Sequence, residues 1–199
     1  MTSVRDRLLD ATERLVYRHG VNGVGIDRIL ATAKVAKMSL YKHFDGKEAL
    51  VVAMLERRHH AWMAWFSDRT EELGRRVAGP IAAIFDTLVE WFERPDFHGC
   101  AFINCAAEFP DPKHPVRRAA RKHKVALQAA IADICRAGGV DKRLSPAIYL
   151  LVEGAIVAAL VSGGAEPART AKHAALGLVG PRPSRRLRPS TAGAGSCTR

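Results

Sequence analysis

IDRILATAKVAKMSLYKHFDGKEAL, residues 26–50, is the stretch whose residue spacing decides the fold. Ile26, Ile29 and Leu30 recur at helical spacing, Val35 falls in a short turn, and Leu40 and Phe44 resume the apolar stripe. The pattern predicts two short helices joined by a tight turn. Such a pair buries too little surface to be stable by itself, so its apolar positions must dock on a third helix, and Val4 to His19 is the candidate. The outward face then carries Lys37, Met38, Ser39, Tyr41, Lys42 and His43. Cations, a hydroxyl and an aromatic on one face of a second helix suit a DNA major groove, where phosphates take charge and donors and base edges take a protruding helix.

Outward from this stretch the chain reads as helix throughout. Toward the N-terminus, Ser3 is placed to cap a helix with Leu8, Ala11, Leu15 and Val16 on its inner side, ending at Gly20. Gly25 takes the cap position of the next helix and offers no side-chain donor. Toward the C-terminus, Lys47 to Arg75 forms one long helix with Leu50, Met54, Leu55, Trp62, Trp65 and Phe66 able to share a face. Pro80 opens a helix to about Phe92, a short helix spans about Gly99 to Phe109, and Pro115 opens another to Ala137, stopped by Gly138 and Gly139. Ser145 with Pro146 starts a helix to about Ser162, and Glu166 to Val179 is the last. The expected fold is all-α: a helix-turn-helix reader over 1–46, a helical body over 47–179, and a basic, disordered tail over 180–199 with almost no apolar residue.

The run VAKMSLYKHF followed by DGKEAL resembles the signature of the TetR/AcrR family of bacterial one-component regulators, and a weaker phrase, GCAFINCAAEFPDPKHPVRRAA, is similar to one in some members. The close match covers roughly the first fifty residues. Lys34 stands where the family usually has a turn Gly, Ala36 where it has a capping Ser, and Met38 where a Gly is commonest. An Ala cap costs about 1 kcal/mol relative to Ser, which predicts fraying at the start of the second helix. The resemblance implies a DNA-binding regulator, by family habit a repressor, that acts as a homodimer in the cytoplasm and is released from its double-stranded operator by a small-molecule effector. It also implies phosphate contacts from Ser39, Tyr41, His43 and Lys47, leaving Lys37, Met38 and Lys42 to approach the bases.

Candidate sites in the body follow from side-chain type. Trp62, Trp65, Phe85, Trp91, Phe102, Phe109 and Tyr149, with Cys100 beside them, are expected to wall an apolar effector pocket whose polar groups come from Asn104 and Glu108, one turn apart, and from Glu153. A lone carboxylate in an apolar helix must pair with a cation, reach water or line a cavity. Small residues Gly154, Ala158 and Ser162 form one row with Ala155 beside it, and such rows let helices approach closely. Since the resembled family dimerises through its last two long helices, these residues and Ala171 and Ala175 are expected at the seam, against the plainer alternative of packing within one chain.

Composition bounds the rest. A length of 199 residues is enough for a sizeable core, and a net charge of +11 favours a polyanionic partner. That excess sits largely outside the reader: residues 1–50 hold nine Lys and Arg against six acids, while 181–199 hold five Arg and none, and another cluster runs from Lys113 to Lys124. A non-specific nucleic-acid binder is therefore the alternative. Four unpaired cysteines and no secretory pattern suit a reducing cytoplasm. The apolar run Ala147 to Val161 carries Glu153 and falls short of a membrane span of about 20 residues, so no membrane partner is expected. Cys100 and Cys105 fall on different helix faces, and His59 and His60 have no chelating partner in sequence, so neither metal nor cofactor is expected. A cysteine enzyme using His98, His114 or His123 as base lacks any supporting phosphate loop or nucleophile turn, and the chain is expected not to be an enzyme.

Overall fold

The computed structural model describes residues 3–76 and 79–180, so the expected tail beyond Gly180 lies outside the described residues. Every regular element among the described residues is an α-helix. Helix α1 (Val4–His19) begins at Ser3, whose hydroxyl accepts the Asp6 N–H at 3.0 Å and donates to the Asp6 carboxylate at 2.6 Å. Helices α2 (Ile26–Ala33) and α3 (Lys37–Tyr41) lie across it, and the first turns of α4 (Lys47–Arg76) close the bundle. Leu8, Leu9, Val24, Ile29, Leu40, Leu50 and Val51 are fully buried there. Three short helices thus share a core with the start of a long one, which answers their inability to bury surface singly.

Helix α4 continues into the body, packing against α5 (Pro80–Phe92) and α7 (Pro115–Ala137). The short α6 (Ala101–Ala107) leans on α7, and α8 (Ser145–Ser162) pairs with α9 (Glu166–Val179), which also covers α5. Helices α4 and α7 run parallel. His114 meets Glu48 at 2.8 Å near their N-terminal ends, His59 meets His123 at 3.1 Å in the middle, and residues 67–75 face 130–137 at the far end.

Several expectations change. Ser145 is inside α8 rather than its cap, because Leu144 takes that place and the Ser145 hydroxyl donates to the Lys142 carbonyl at 3.1 Å. Glu153 is not a lone carboxylate: both its oxygens accept from Lys124 Nζ of α7, at 2.8 and 2.7 Å, which removes it as a free polar group for a pocket. Phe85 is wholly enclosed in the core. Ala155, Ala171 and Ala175 are buried within the single chain and are not available to a seam between chains; they fill the close approach of α8 and α9 to each other and to α5. Helix α8 is, at 18 residues, apolar enough to cross a membrane by length and composition, but Ile148, Val152, Ala155, Ile156 and Ala159 are buried in the helical body.

Candidate DNA interface and effector cavity

The turn between α2 and α3 is made by backbone geometry. Lys34 adopts the left-handed conformation at φ 53°, its N–H bonds to the Ala31 carbonyl at 3.3 Å, and the Val35 N–H reaches back to the Leu30 carbonyl at 3.1 Å. This pair of bonds is a Schellman stop, a place where Gly is favoured because it has no Cβ to clash. Ala36 then starts α3 with no side-chain cap. Helix α3 has five residues, and its Lys42 N–H and Phe44 N–H continue the turn onto Met38 and Leu40 carbonyls.

Leu40 anchors α3 at 0 % exposure and Phe44 at 7 %, so the opposite face is forced outward. Lys37, Met38, Tyr41, Lys42 and His43 are exposed there, Met38 at 73 %, while Ser39 and Lys47 are half-buried at either shoulder. Among the described residues no carboxylate lies within salt-bridge distance of Lys37, Lys42 or Lys47. These cations are therefore not spent on internal pairs. Arg5 covers the outer face of Phe44 at 5.6 Å and adds charge beside the same surface.

Behind the reader, polar side chains tie it to the body. Arg57 and Arg58 of α4 hold Glu13 of α1 at 3.0 and 2.6 Å, and Arg57 also holds Asp10 at 2.7 Å. The Arg58 guanidinium stacks on the Tyr17 ring at 4.2 Å. The Tyr17 hydroxyl donates to the Gly99 carbonyl at 2.7 Å and accepts the His98 N–H at 2.9 Å; burial raises its pKa, so it stays protonated as that donor. At the other end of α6, the Glu108 carboxylate accepts the N–H of Val21 at 2.6 Å and of Asn22 at 2.7 Å. Glu108 and Asn104, expected as polar pocket groups, already have partners: Glu108 satisfies donors in the turn after α1, which no intrahelical carbonyl can reach, and Asn104 donates to the His98 carbonyl at 2.8 Å.

The expected single pocket is divided. Trp62, Trp65 and Trp91, the only tryptophans in the sequence, wall a cavity of about 260 Å³ with Tyr17, Arg58 and Arg94. Asn104 and Glu108 line a separate cavity of about 120 Å³, which shares Glu13, Tyr17 and Arg58 with the first as lining residues. Phe85, Cys100, Tyr149 and Glu153 line neither. Their helices carry them to other parts of the core, since a shared apolar character does not fix which face of a neighbour they meet. The indole N–H of Trp62 is buried without a hydrogen-bond partner among the described residues. A larger space of about 540 Å³ lies at the far ends of α4 and α7. It touches no part of the reader.

The cysteines and histidines occupy packed environments. Burial, with Glu108 second, pushes the Cys105 thiol up to about 12, which withholds the thiolate a nucleophile needs. Cys100 is likewise buried, and no hydrogen bond joins either thiol to His98, His114 or His123 among the described residues. His123 stacks on Phe102 at 3.7 Å and burial holds its pKa down at about 3. Burial lowers His59 too, so the 3.1 Å contact joins two neutral rings, one donating and one accepting. Among the described residues no three His, Cys, Asp or Glu side chains gather as a metal site.

Residues 8–54 match the family model for bacterial regulatory proteins of the tetR family, and residues 80–175 match that for the tetracyclin repressor-like C-terminal domain. Over 177 residues the chain is 28% identical to the HTH-type transcriptional repressor NemR of Escherichia coli strain K12, spanning 84% of this chain and 89% of that protein. Over 179 residues it is 27% identical to the HTH-type transcriptional repressor DhaR of Mycobacterium sp. strain GP1, spanning 83% and 87%. Among solved structures, SCO4454, a TetR-family transcriptional regulator from Streptomyces coelicolor, superposes with a TM-score of 0.80 at 30% identity, covering 89% of each chain. The reduced form of E. coli NemR superposes with a TM-score of 0.74 at 28% identity, covering 87% of this chain and 95% of that one.

Proposed function

Because this chain belongs to the TetR family of bacterial regulatory proteins, we propose that it is a dimeric transcriptional repressor of the cytoplasm that a small molecule releases from its DNA operator. The observation that carries the reading is the outward face of α3. Lys37, Met38, Tyr41, Lys42 and His43 stand exposed on α3 and the turn that ends it, whose inner side is locked by Leu40, and among the described residues Lys37 and Lys42 have no carboxylate partner. Residues 1–46 form the reader and 47–179 the body, with α4 belonging to the cores of both.

Repressors of this design need two readers held at a fixed separation, and the outer side of α8 suits that task. Leu150, Gly154, Val157, Ala158 and Val161 follow one another at helical spacing and are exposed, with Ser162 one turn beyond Ala158 and Leu178 of α9 exposed as well. A second copy seated on this stripe would remove it from water. The half-sites would then lie roughly 34 to 36 Å apart along the operator.

The effector is assigned to the three-tryptophan cavity, because it touches both α1 and α4 and is walled by three indoles, whereas the space of about 450 Å³ that also touches both helices is lined mostly by Asp, Glu and Arg side chains. A compound can release DNA only by preferring the released arrangement, and a site between reader and body allows such a preference. Since all three tryptophans wall this cavity, intrinsic fluorescence provides the screen for it.

The test of the reading is selection of duplexes from a random pool followed by footprinting. A short palindromic footprint is expected, with Lys37→Ala relaxing base preference and Lys47→Ala lowering the slope of log affinity against log salt by about two units, one for each subunit of the dimer. Uniform coverage of any duplex would overturn it in favour of a non-specific nucleic-acid binder.

A further inference from the structure

The basic cluster at the start of α7 has no role in the reader or the cavity. Lys113, Arg117, Arg118, Arg121 and Lys122 fall within ten residues that contain no acid. Among the described residues none of the five lies within salt-bridge distance of a carboxylate, although nearby Lys124 is consumed by Glu153. The carboxylates facing this end are few. Glu48 is engaged by His114 at 2.8 Å, Asp111 accepts the Lys113 backbone N–H at 2.8 Å, and Glu56 lies beside Lys122 in a shallow recess. The guanidinium of Arg118 donates to the Lys113 carbonyl at 2.7 Å, and that of Arg117 to the Phe109 carbonyl at 3.3 Å, so hydrogen bonding holds both in place while their charge stays uncompensated. Lys113, Arg118, Arg121 and Lys122 are exposed.

The position of this cluster follows from the parallel run of α4 and α7. The contact between His114 and Glu48 puts the N-terminus of α7 beside the first turn of α4, one residue from Lys47. At about 1.5 Å per residue, Arg118 stands roughly 6 Å above the N-cap of α7, within a side-chain length of that end. The cluster thus continues the charged surface of the reader and is not a separate patch on the body. Duplex DNA places a negative charge about every 1.7 Å along its axis, so a surface next to one phosphate contact faces others.

The geometry points to a second DNA contact: Lys113 and Arg118, supported by Arg121 and Lys122, hold the sugar-phosphate backbone adjacent to the phosphate reached by Lys47. The contact rests on the reading of the chain as a DNA-binding repressor. It carries no base information and adds affinity that falls with salt.

The experiment uses the full-length protein and a labelled duplex that it selects from a random pool, titrated across a series of salt concentrations. The double variant Lys113→Ala/Arg118→Ala is expected to lose about four units of salt slope per dimer, two from each subunit, and keep its base preference, which makes its affinity loss between 50 and 200 mM salt roughly a hundredfold smaller than wild type's. A control, Lys142→Ala/Arg143→Ala, removes two exposed cations beyond the far end of α7 and is expected to keep the wild-type slope, excluding an effect of net charge. Both pairs are on the surface, and circular dichroism checks that each variant is folded. A wild-type slope in the Lys113→Ala/Arg118→Ala variant overturns the contact while leaving the repressor reading intact, and hands the patch to an acidic protein surface. Equal losses in both variants also overturn it. Failure of wild-type protein to select any duplex removes the repressor reading and this contact together.

Discussion

Lys34 shows how a single side chain can work against the turn it occupies. A left-handed φ of 53° brings its Cβ toward the backbone, a conflict worth roughly 1 to 2 kcal/mol that Gly does not suffer. Lys34→Gly is expected to raise the thermal midpoint by several degrees without moving the α2 to α3 turn; an unchanged or lowered midpoint would show that the Lys side chain compensates elsewhere. His123 makes the opposite kind of statement, through pH. Its folded pKa of about 3 lies below the ordinary value of 6.5, so the unfolded chain takes up the proton first. The stability it contributes is complete above about pH 6.5 and is lost as pH falls toward 3, by up to about 1.4 kcal/mol per pH unit. His59, also lowered, acts in the same direction. Replacing His123 with Gln should flatten the acid limb of a urea-denaturation series between pH 6.5 and 4, and an equally steep limb would move its origin to other groups.

At the scale of elements, α6 is a strut fastened to the reader at both ends. Tyr17 holds the segment before it through His98 and Gly99, and Glu108 at its C-terminus caps the turn after α1. A charge-assisted bond of this kind is worth about 1.5 to 3 kcal/mol. Glu108→Ala is expected to destabilise the chain by about that amount in urea titrations and to weaken the grip on a selected duplex, because the turn it secures orients α2. Loss of stability with unaltered duplex affinity would reduce the tether to a packing feature. The glycine before this turn is required in its own right: Gly20 has φ 75°, and a Cβ there would lie 2.8 Å from a Glu108 oxygen.

The molecule as a whole leaves an apolar stripe on α8 facing water, and the proposed second copy is what covers it. Because Ala158 is exposed, Ala158→Arg should leave the single chain folded while shifting sedimentation from dimer to monomer at micromolar concentration and weakening duplex affinity. Ala175→Arg, in contrast, puts a cation into a fully enclosed position and should unfold the chain. A wild-type protein that sediments as a monomer would remove the seam.

What the sequence by itself determined is local. The apolar spacing of Ile29, Leu30, Leu40 and Phe44, the Ser3 cap and the proline helix starts act over a few residues, within reach of backbone hydrogen bonds and one helix turn, so the helix order and the exposed face of α3 were legible. Tertiary structure decided what depends on the rotation and register of helices far apart in the chain. Glu153 finds Lys124 across 29 residues and Glu108 finds Val21 across 87, contacts that no periodicity encodes. The same holds for the small residues of α8 and α9. Composition marked Gly154, Ala155, Ala158, Ser162, Ala171 and Ala175 as one set, but only the docking of α9 on α5 and α8 divided it, burying Ala155, Ala171 and Ala175 and leaving the others outside. A helix carries its faces in its sequence; which neighbour each face meets is set by the free energy of packing the whole chain.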